Sequence, residues 1–395
     1  MKQELLATLA RKEGRLIEVR RYLHQHPELS FHEEETARYI AAFYAGKDCV
    51  VETGVGGGNG VVVTIDSGQP GKTLGIRADF DALPVAEETG LDFASTNPGV
   101  MHACGHDVHT AYLLILAETL LELKSEFTGR VKVFHQPGEE LVPGGAQPMI
   151  AAGCLDGVDH VVGLHVVSFL DTGVVGFCPG PAMLGNDDFI VKIQGKGGHG
   201  SMPHLANDAI VAASYFVTAL QTIVSRRVNP FDLGSVTIGS FDGKGKSNII
   251  KDSVILEGDV RYVTAQTRAT LEREVRRILD GLASAFGITY ELTYEYGYPM
   301  LANDPGFTNF AMRAIQDAHI ERAERVERIP QQSGSEDFSY FLQERPGTFY
   351  FVGGKPRGGE LFPNHHPRFD VAEEVILTCA QTMGAIATDY LAPQT

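Results

Sequence analysis

The 395-residue chain has no tryptophan and only five cysteines, at positions 49, 104, 154, 178 and 379, with no CxxC pair among them. An odd and scattered set of thiols argues against a disulfide framework and against a structural zinc knot. The expectation is reduced thiols and a cytoplasmic setting. Positive charge is also short: 33 Lys and Arg stand against 50 Asp and Glu, for a net charge of −17. Such a chain repels phosphate backbones and anionic bilayers, so neither nucleic acid nor membrane is expected as a partner. A divalent cation and a small molecule are the more natural partners. No apolar run approaches the roughly 20 residues that span a bilayer. The N-terminal MKQELLATLARKEGRLIEVRRYL is broken by charges at helical spacing, which reads as a helix and not as a signal peptide. Repeats and low-complexity linkers are missing too.

What is present is enough chain for two domains. Helices are expected at 13–24 and 33–45. They are followed by the strands GNGVVVTIDSG and KTLGIRADF, the helix TAYLLILAETLLELK, and the strands GRVKVFHQ and HVVGLHVV. Apolar strands separated by helices indicate an α/β domain with a buried sheet. From about Asp187 the order becomes strand, helix, two strands, helix, strand, which is the ferredoxin-like β-α-β-β-α-β unit. The α/β pattern then resumes with a helix near 305–321, the strand TFYFVGG and a helix near 372–390. The fold class expected is therefore a discontinuous α/β catalytic domain, residues 1–182 and 298–395, whose mixed sheet is flanked by helices. An inserted lid or dimerisation domain occupies 183–297.

Polar groups collect after the strands of the first domain, where ligands bind in open α/β sheets. Asp79 and Asp81 follow KTLGIRA. Glu139 and Glu140 follow GRVKVFHQ, and His165 lies in HVVGLH. The stretch MHACGHDVH, 101–109, carries three of the chain's 14 histidines and one of its cysteines. Cys104 and His106, two apart before a helix, can point into one site from a tight turn. Glu140 and His165 add a carboxylate and a second imidazole. Such a donor set suits zinc, or manganese or cobalt, and is large enough for two ions. Of the adjacent Glu139 and Glu140, one can bind metal while the other takes a proton from metal-bound water. Asp79 is a candidate to hydrogen-bond a ligand histidine. The bland readings are that the remaining cysteines are small buried hydrophobes, that His24, His26 and His32 are surface or capping residues, and that Asp107 is a helix N-cap.

The stretches RRYLHQHPELSFHEEET, IRADFDALPV, MHACGHDVHTA, QPGEELVPGGA, GLHV, GKGGHGSMPH, SGSEDFSYF and NHHPRFD together resemble the metal-dependent amidohydrolases of the aminoacylase/carboxypeptidase superfamily. The branch is the one that holds hippurate hydrolases and indole-acetyl-amino-acid hydrolases. The resemblance implies two divalent ions, zinc or manganese with cobalt or nickel as alternatives. It implies Cys104, His106, Glu140, His165 and His365 as ligands, with Pro367 setting the register that picks His365. It implies Glu139 as general base and His199 as the residue that stabilises the oxyanion. Asn248 and Arg261 match positions that hold a substrate carboxylate, and Gly334 and Ser335 positions near the substrate backbone. The chain departs from the family at Lys251, often proline there, and at Val108, usually a small residue. The implied activity is hydrolysis of N-acyl amino acids, with a carboxypeptidase or dipeptidase of the same fold as the alternative, by a homodimer.

Rivals of other classes are weaker. GKGGHG, 195–200, fits GxGxxG after a strand, but residues 209–231 lack the acidic partner that a dinucleotide site needs. A non-catalytic binding module would have no use for Glu139. The zinc deaminase pattern, HExxH and GxSxG do not occur.

Overall fold

The structure is a computed structural model and describes residues 1–356, 358 and 360–393. The chain forms two compact units: Met1–Ala182, Ala302–Gln331 and Asp337–Thr395 make one, and Met183–Leu301 with Gln332–Glu336 the other. The passage back to the first unit comes at 302 and not at 298, and 332–336 join the second unit. Backbone bonds explain this: Asn186 N–H donates to Tyr298 O at 3.0 Å and Leu184 N–H to Gly334 O at 3.0 Å.

The first unit begins with helices α1 (Lys2–Arg11), α2 (Glu13–Gln25) and α3 (Glu34–Phe43). Strands β1 (Val50–Val55), β2 (Gly60–Asp66) and β3 (Thr73–Asp79) follow, then α4 (His106–Glu122), β4 (Arg130–Gln136), α5 (Ala146–Ala151), β5 (His160–Asp171) and β6 (Val174–Phe177). The chain changes unit inside β7 (Gly180–Met183) and again inside β14 (Leu301–Asn303). Between them lie β8 (Gly185–Gln194), β9 (Gly198–His199), α6 (Ala209–Arg226), β10 (Gly234–Asp242), β11 (Ile249–Ile250), β12 (Ser253–Tyr262), α7 (Ala265–Phe286) and β13 (Thr289–Tyr296). The first unit closes with α8 (Pro305–Gln316), β15 (Arg325–Arg328), α9 (Phe338–Glu344), β16 (Gly347–Lys355) and α10 (Val375–Tyr390).

The large sheet has eight strands in the order β1-β2-β4-β3-β5-β16-β6-β15. Its centre, β4-β3-β5-β16, is parallel, while β1, β2 and β4 pair antiparallel. β3 is buried along its whole length, as the central strand of a covered sheet must be. Helix α4 packs on β3, α1, α2 and α10 and is apolar on nearly every side. Its Leu113, Leu114 and Leu116 are fully buried, and truncating any of them to alanine would cost about 2–5 kcal/mol. α4 starts at His106, four residues before the expected TAYLL run, because its first turn is polar yet fully buried. α8 stops at Gln316, short of the expected 321, and His319 turns the chain with a positive φ of 51°.

In the second unit β10-β12-β8-β13 form an antiparallel sheet with α6 and α7 packed on it, the ferredoxin-like order. Among the described residues α6 is the one helix long and apolar enough, at mean hydropathy 1.3, to span a membrane by length and composition. The sequence-based expectation of no such run therefore does not hold for this helix. Ala209, Ala212, Ala213, Phe216, Leu220 and Ile223 of α6 lie in this unit's hydrophobic core.

Candidate metal centre

Register sets the site. Asp79 at the end of β3 pairs with Gln136 at the end of β4. In β5, Gly163 pairs with Arg77, so His165 lies two residues further, level with Asp79. The residues just beyond these ends, Asp81 and the turn Gly138-Glu139-Glu140, emerge on the same carboxyl edge.

Cys104, Gly105 and His106 form the turn into α4. Gly105 has φ +92°, and a Cβ there would lie 2.5 Å from Val166 Cγ1. Only glycine fits, and it lets two ligand-type side chains flank a sharp turn. The loop of His365 reaches the same place: His365 N–H donates to Ala103 O at 2.7 Å and Asn364 Nδ2 to Cys104 O at 3.1 Å. His365 itself holds a left-handed backbone, φ 71°, a strained state for a non-glycine residue that needs surrounding contacts to persist.

These elements bring together all five expected ligands. Cys104, His106 and His165 form one group of donors and Cys104, Glu140 and His365 another, each with its ligand atoms within 4.8 Å of one another. The thiol of Cys104 belongs to both. Cys104 Sγ lies 3.4 Å from His165 Nε2, His365 Nε2 3.3 Å from Glu140 Oε1, and His106 Nε2 3.8 Å from Glu140 Oε1. Donors at 2.0–2.3 Å around one tetrahedral ion stand about 3.3–3.8 Å apart. Among the described residues His106 Nε2 and Glu140 Oε1 are buried and make no hydrogen bond of good geometry, a costly state for two polar atoms unless a cation satisfies both. The donor set therefore fits a transition-metal ion.

The tautomers agree. His106 Nδ1 faces Asp81 O at 3.0 Å and Asp81 Oδ1 at 3.2 Å, which leaves Nε2 to the cluster. His165 Nδ1 donates to Val166 O at 2.7 Å, again freeing Nε2. His109 differs. Its Nδ1 donates to Asp79 Oδ1 at 2.5 Å and its Nε2 accepts from Val166 N–H at 2.9 Å, so it has no lone pair left for a ligand role.

Electrostatics point the same way. Burial pulls the His106 imidazole down, but Asp79, Asp81 and Glu140 outweigh it and raise it to about 10. Carboxylates that hold a proton this firmly hold a metal cation in its stead. Burial pushes the Cys104 thiol well above its usual range, and the charges of Glu140 and Glu139 push the same way. A thiolate here needs a cation beside it. Burial keeps His165 well below its usual value, hence neutral and able to donate a lone pair.

Glu139 is nearly buried, and its carboxylate groups with His106 and Glu140 within the same 4.8 Å. Although the two glutamates are adjacent, in this turn both carboxylates converge. Two acids hold the turn, since Gly138 N–H donates to Glu33 Oε1 at 2.8 Å and Glu140 N–H to Asp81 Oδ2 at 2.9 Å. Burial, with Asp81 nearby, raises Glu33 to about 7.

Asp79 corrects one expectation. Its hydrogen bonds go to His109 and to Arg77 Nη1, and it stays 3.6 Å from His106 Nε2. The partner of the ligand-type His106 is Asp81, one alternation further along the chain. A second correction concerns Asp107, which is no N-cap: Gly105 takes that position without a side-chain cap. Asp107 turns inward to Arg20 Nε at 3.0 Å and His24 Nδ1 at 2.9 Å. Arg20 also donates to Asp370 at 2.8 Å, so it ties the segment after His106 to the segment after His365. Arg20 is not among the expected residues, and His24, for which a surface or capping role was the bland expectation, is buried. The signal was helical spacing, for both sit on the face of α2 that carries Leu16, Val19 and Leu23.

The remaining expected residues lie in the second unit. His199 in β9 pairs with Ile249 in β11, and Gly200 N–H donates to Asn248 O at 2.9 Å. His199 is exposed, and its Nδ1 accepts from Ser201 Oγ at 2.9 Å. Arg261 on β12 is paired with Asp259, Nη2 to Oδ1 at 2.7 Å. Gly334 is exposed, and its carbonyl accepts from Leu184 N–H. The GKGGHG loop does not run into a helix. β9 and a short helical turn intervene, and Asp208 caps α6, accepting from Ile210 and Val211 N–H. A carboxylate fills the place where a dinucleotide phosphate would sit, which removes the dinucleotide rival.

Residues 75–389 match the family described as peptidase family M20/M25/M40. The chain is 40% identical over 319 residues to an N-acyl-L-amino acid amidohydrolase of Geobacillus stearothermophilus, covering 80% of this chain and 86% of that protein. It is 38% identical over 380 residues to thermostable carboxypeptidase 1 of Saccharolobus solfataricus, covering 95% and 94%. Among solved structures, the Bacillus subtilis YxeP protein, a dinuclear metal binding peptidase of the M20 family, superposes with a TM-score of 0.82 at 33% identity over 96% of this chain and 98% of that one.

Proposed function

Since the chain belongs to peptidase family M20/M25/M40 and is a hydrolytic enzyme, we propose that it cleaves the amide bond of N-acyl amino acids and releases the free amino acid, with two divalent ions as cofactors. The observation that carries this reading is the pair of donor groups sharing Cys104, with Glu139 beside them. Cys104, His106 and His165 would hold one ion and Cys104, Glu140 and His365 the other. The thiolate favours zinc on softness, with manganese the next choice. When bound, such ions polarise a scissile carbonyl and make water acidic enough to yield hydroxide at neutral pH.

The chain's own residues do the rest. Glu139 is the base that takes the proton from the attacking water and passes it to the leaving amine. Asp81 fixes the His106 tautomer and, through Glu140 N–H, the turn that carries the base. His199 stabilises the oxyanion of the tetrahedral species. Asn248 and Arg261 take the α-carboxylate of the substrate, and Gly334 lets its backbone approach. The second unit serves as lid and as the contact between two copies of the chain. In support of dimerisation, Ile210, Val211, Tyr215 and Val224 leave the outer face of α6 apolar and exposed. The setting proposed is cytoplasmic, consistent with five unpaired thiols.

The test is release of free amino acid from a panel of N-acetyl and N-benzoyl amino acids and dipeptides. The protein is stripped of metal and then given zinc, manganese or cobalt. Metal-restored cleavage of N-acyl amino acids supports the reading. Cleavage of peptides alone would move the assignment to a carboxypeptidase or dipeptidase.

A further inference from the structure

The loop that carries Glu139 and Glu140 runs from Gln136, the last residue of β4, to Ala146, the first of α5. Glu33 and Asp81 hold its middle through the N–H groups of Gly138 and Glu140. A third acid, Asp337 of the SGSEDF stretch, holds both its ends. Asp337 Oδ2 accepts from Ala146 N–H at 3.0 Å and from Gln136 Nε2 at 2.7 Å. Two glycines of the PGGA stretch permit this closure. A Cβ on Gly144, at φ +80°, would overlap Asp337 Oδ2, and one on Gly145 would overlap Pro137 O.

Asp337 is itself held. It stands at the N-cap of α9, yet its side chain makes no cap bond. Instead its Oδ1 accepts from Arg77 Nη2 at 2.8 Å. Both side chains are fully buried. A buried ion pair adds little net stability over apolar packing of the same shape; what it can supply is fixed geometry. The guanidinium is a rigid planar fork. Its Nε donates to Gln136 Oε1 at 3.0 Å and its Nη1 to Asp79 Oδ2 at 2.5 Å. Asp79 in turn holds His109, whose Nε2 accepts from Val166 N–H, next to the ligand-type His165. One side chain on β3 thus references both the loop of Glu139 and the strand of His165. The carboxylates of Asp337 and Glu139 lie within 4.8 Å of one another.

We propose that Asp337 is a positioning residue for the general base. Locked by Arg77, it clamps both ends of the 136–146 loop and so sets where the Glu139 carboxylate stands. The inference rests on the reading of Glu139 as the base.

The test is a double-variant cycle of Asp337→Asn and Glu139→Gln on the metal-loaded enzyme, with the best-cleaved substrate of the panel above. Asparagine keeps the shape of Asp337 but loses the charge and one acceptor oxygen. Alone, Asp337→Asn should lower kcat by about 10–100-fold, the loss expected when a reacting group is displaced by a fraction of an ångström to an ångström. KM and metal content should not change. In the Glu139→Gln background the same substitution should leave kcat where Glu139→Gln alone puts it, because residues that act as a unit are not additive. A lower melting temperature with kcat intact would make Asp337 merely structural and overturn the inference. An equal loss of kcat in both backgrounds would overturn it too, as would loss of metal, which would place its action on Glu140. Should Asp337→Asn fail to fold, Gln136→Met carries the same cycle, since it breaks one arm of the clamp and leaves the Arg77 ion pair in place. Full activity of Glu139→Gln alone would overturn the base reading and the inference together.

Discussion

The donors of the first unit and the polar residues of the second differ in how their environment treats charge. Cys104, His106, His165 and Glu139 are all below a tenth exposed, whereas His199 is exposed. In the buried set each group depends on its neighbours. The His106 proton and the Cys104 thiol are displaced from their ordinary states by burial and adjacent carboxylates, and His165 is kept neutral by burial and its neighbouring histidines. The exposed set shows no comparable dependence: Arg261 has its own counter-ion in Asp259. Burial makes the first set a place where a cation is demanded. Exposure makes the second a place where residues such as His199 can change without loss of the fold.

That contrast can be tested from both sides. Glu139→Gln removes a base and keeps the shape of the turn. We expect kcat to fall by about 10²–10⁴-fold with metal content unchanged, measured by steady-state kinetics and elemental analysis. On the exposed side, His199→Ala should lower kcat by about 10²–10³-fold, the loss of one oxyanion donor, with no change in melting temperature. A change confined to KM would remove His199 from the reacting centre. Asp81→Asn leaves a similar shape but a weaker partner for His106, and metal affinity by calorimetry should drop about 10–100-fold. An unaltered affinity would mean that Asp81 merely fills space.

A smaller effect concerns stability. Burial pulls His24 down, but its bonds to Asp107 and Glu87 raise it to about 9. A histidine raised in the folded state stabilises fully below its unfolded value near 6.5 and loses that contribution as pH rises through about 9. The wild type should therefore lose on the order of 2 kcal/mol between neutral pH and pH about 9.5. His24→Gln should show a flatter profile over that window in chemical denaturation. Parallel profiles would place the titrating group elsewhere.

How much of this was legible beforehand varies by residue. GEE announced itself because polar residues right after an apolar strand have little to do in a core, and CGH because three histidines and a cysteine crowd into residues 101–109. Register then carried Asp79, Gln136 and His165 to one edge, as an open α/β sheet requires. The partner of His106 was not legible. Asp79 and Asp81 are two apart, and which carboxylate reaches which imidazole depends on where β3 ends and the chain bends. The convergence of Glu139 and Glu140 was not legible for a related reason: alternation holds in a strand, but these residues stand in a turn fixed by Glu33 and Asp81. Arg20 was hidden because one arginine among three in a charged helix reads as solvated. Only its place on the apolar face of α2 shows that it must be buried and paired.

The sharing of Cys104 by two donor groups is the centre of the account, and counting ions tests it most directly. Wild type and Cys104→Ser would be loaded with zinc, dialysed and assayed for metal per chain. Two ions are expected in the wild type, and loss of both, or sharply weakened binding of both, in the variant. A wild type that retains no ion, or a variant that loses one and keeps the other at full affinity, would contradict it.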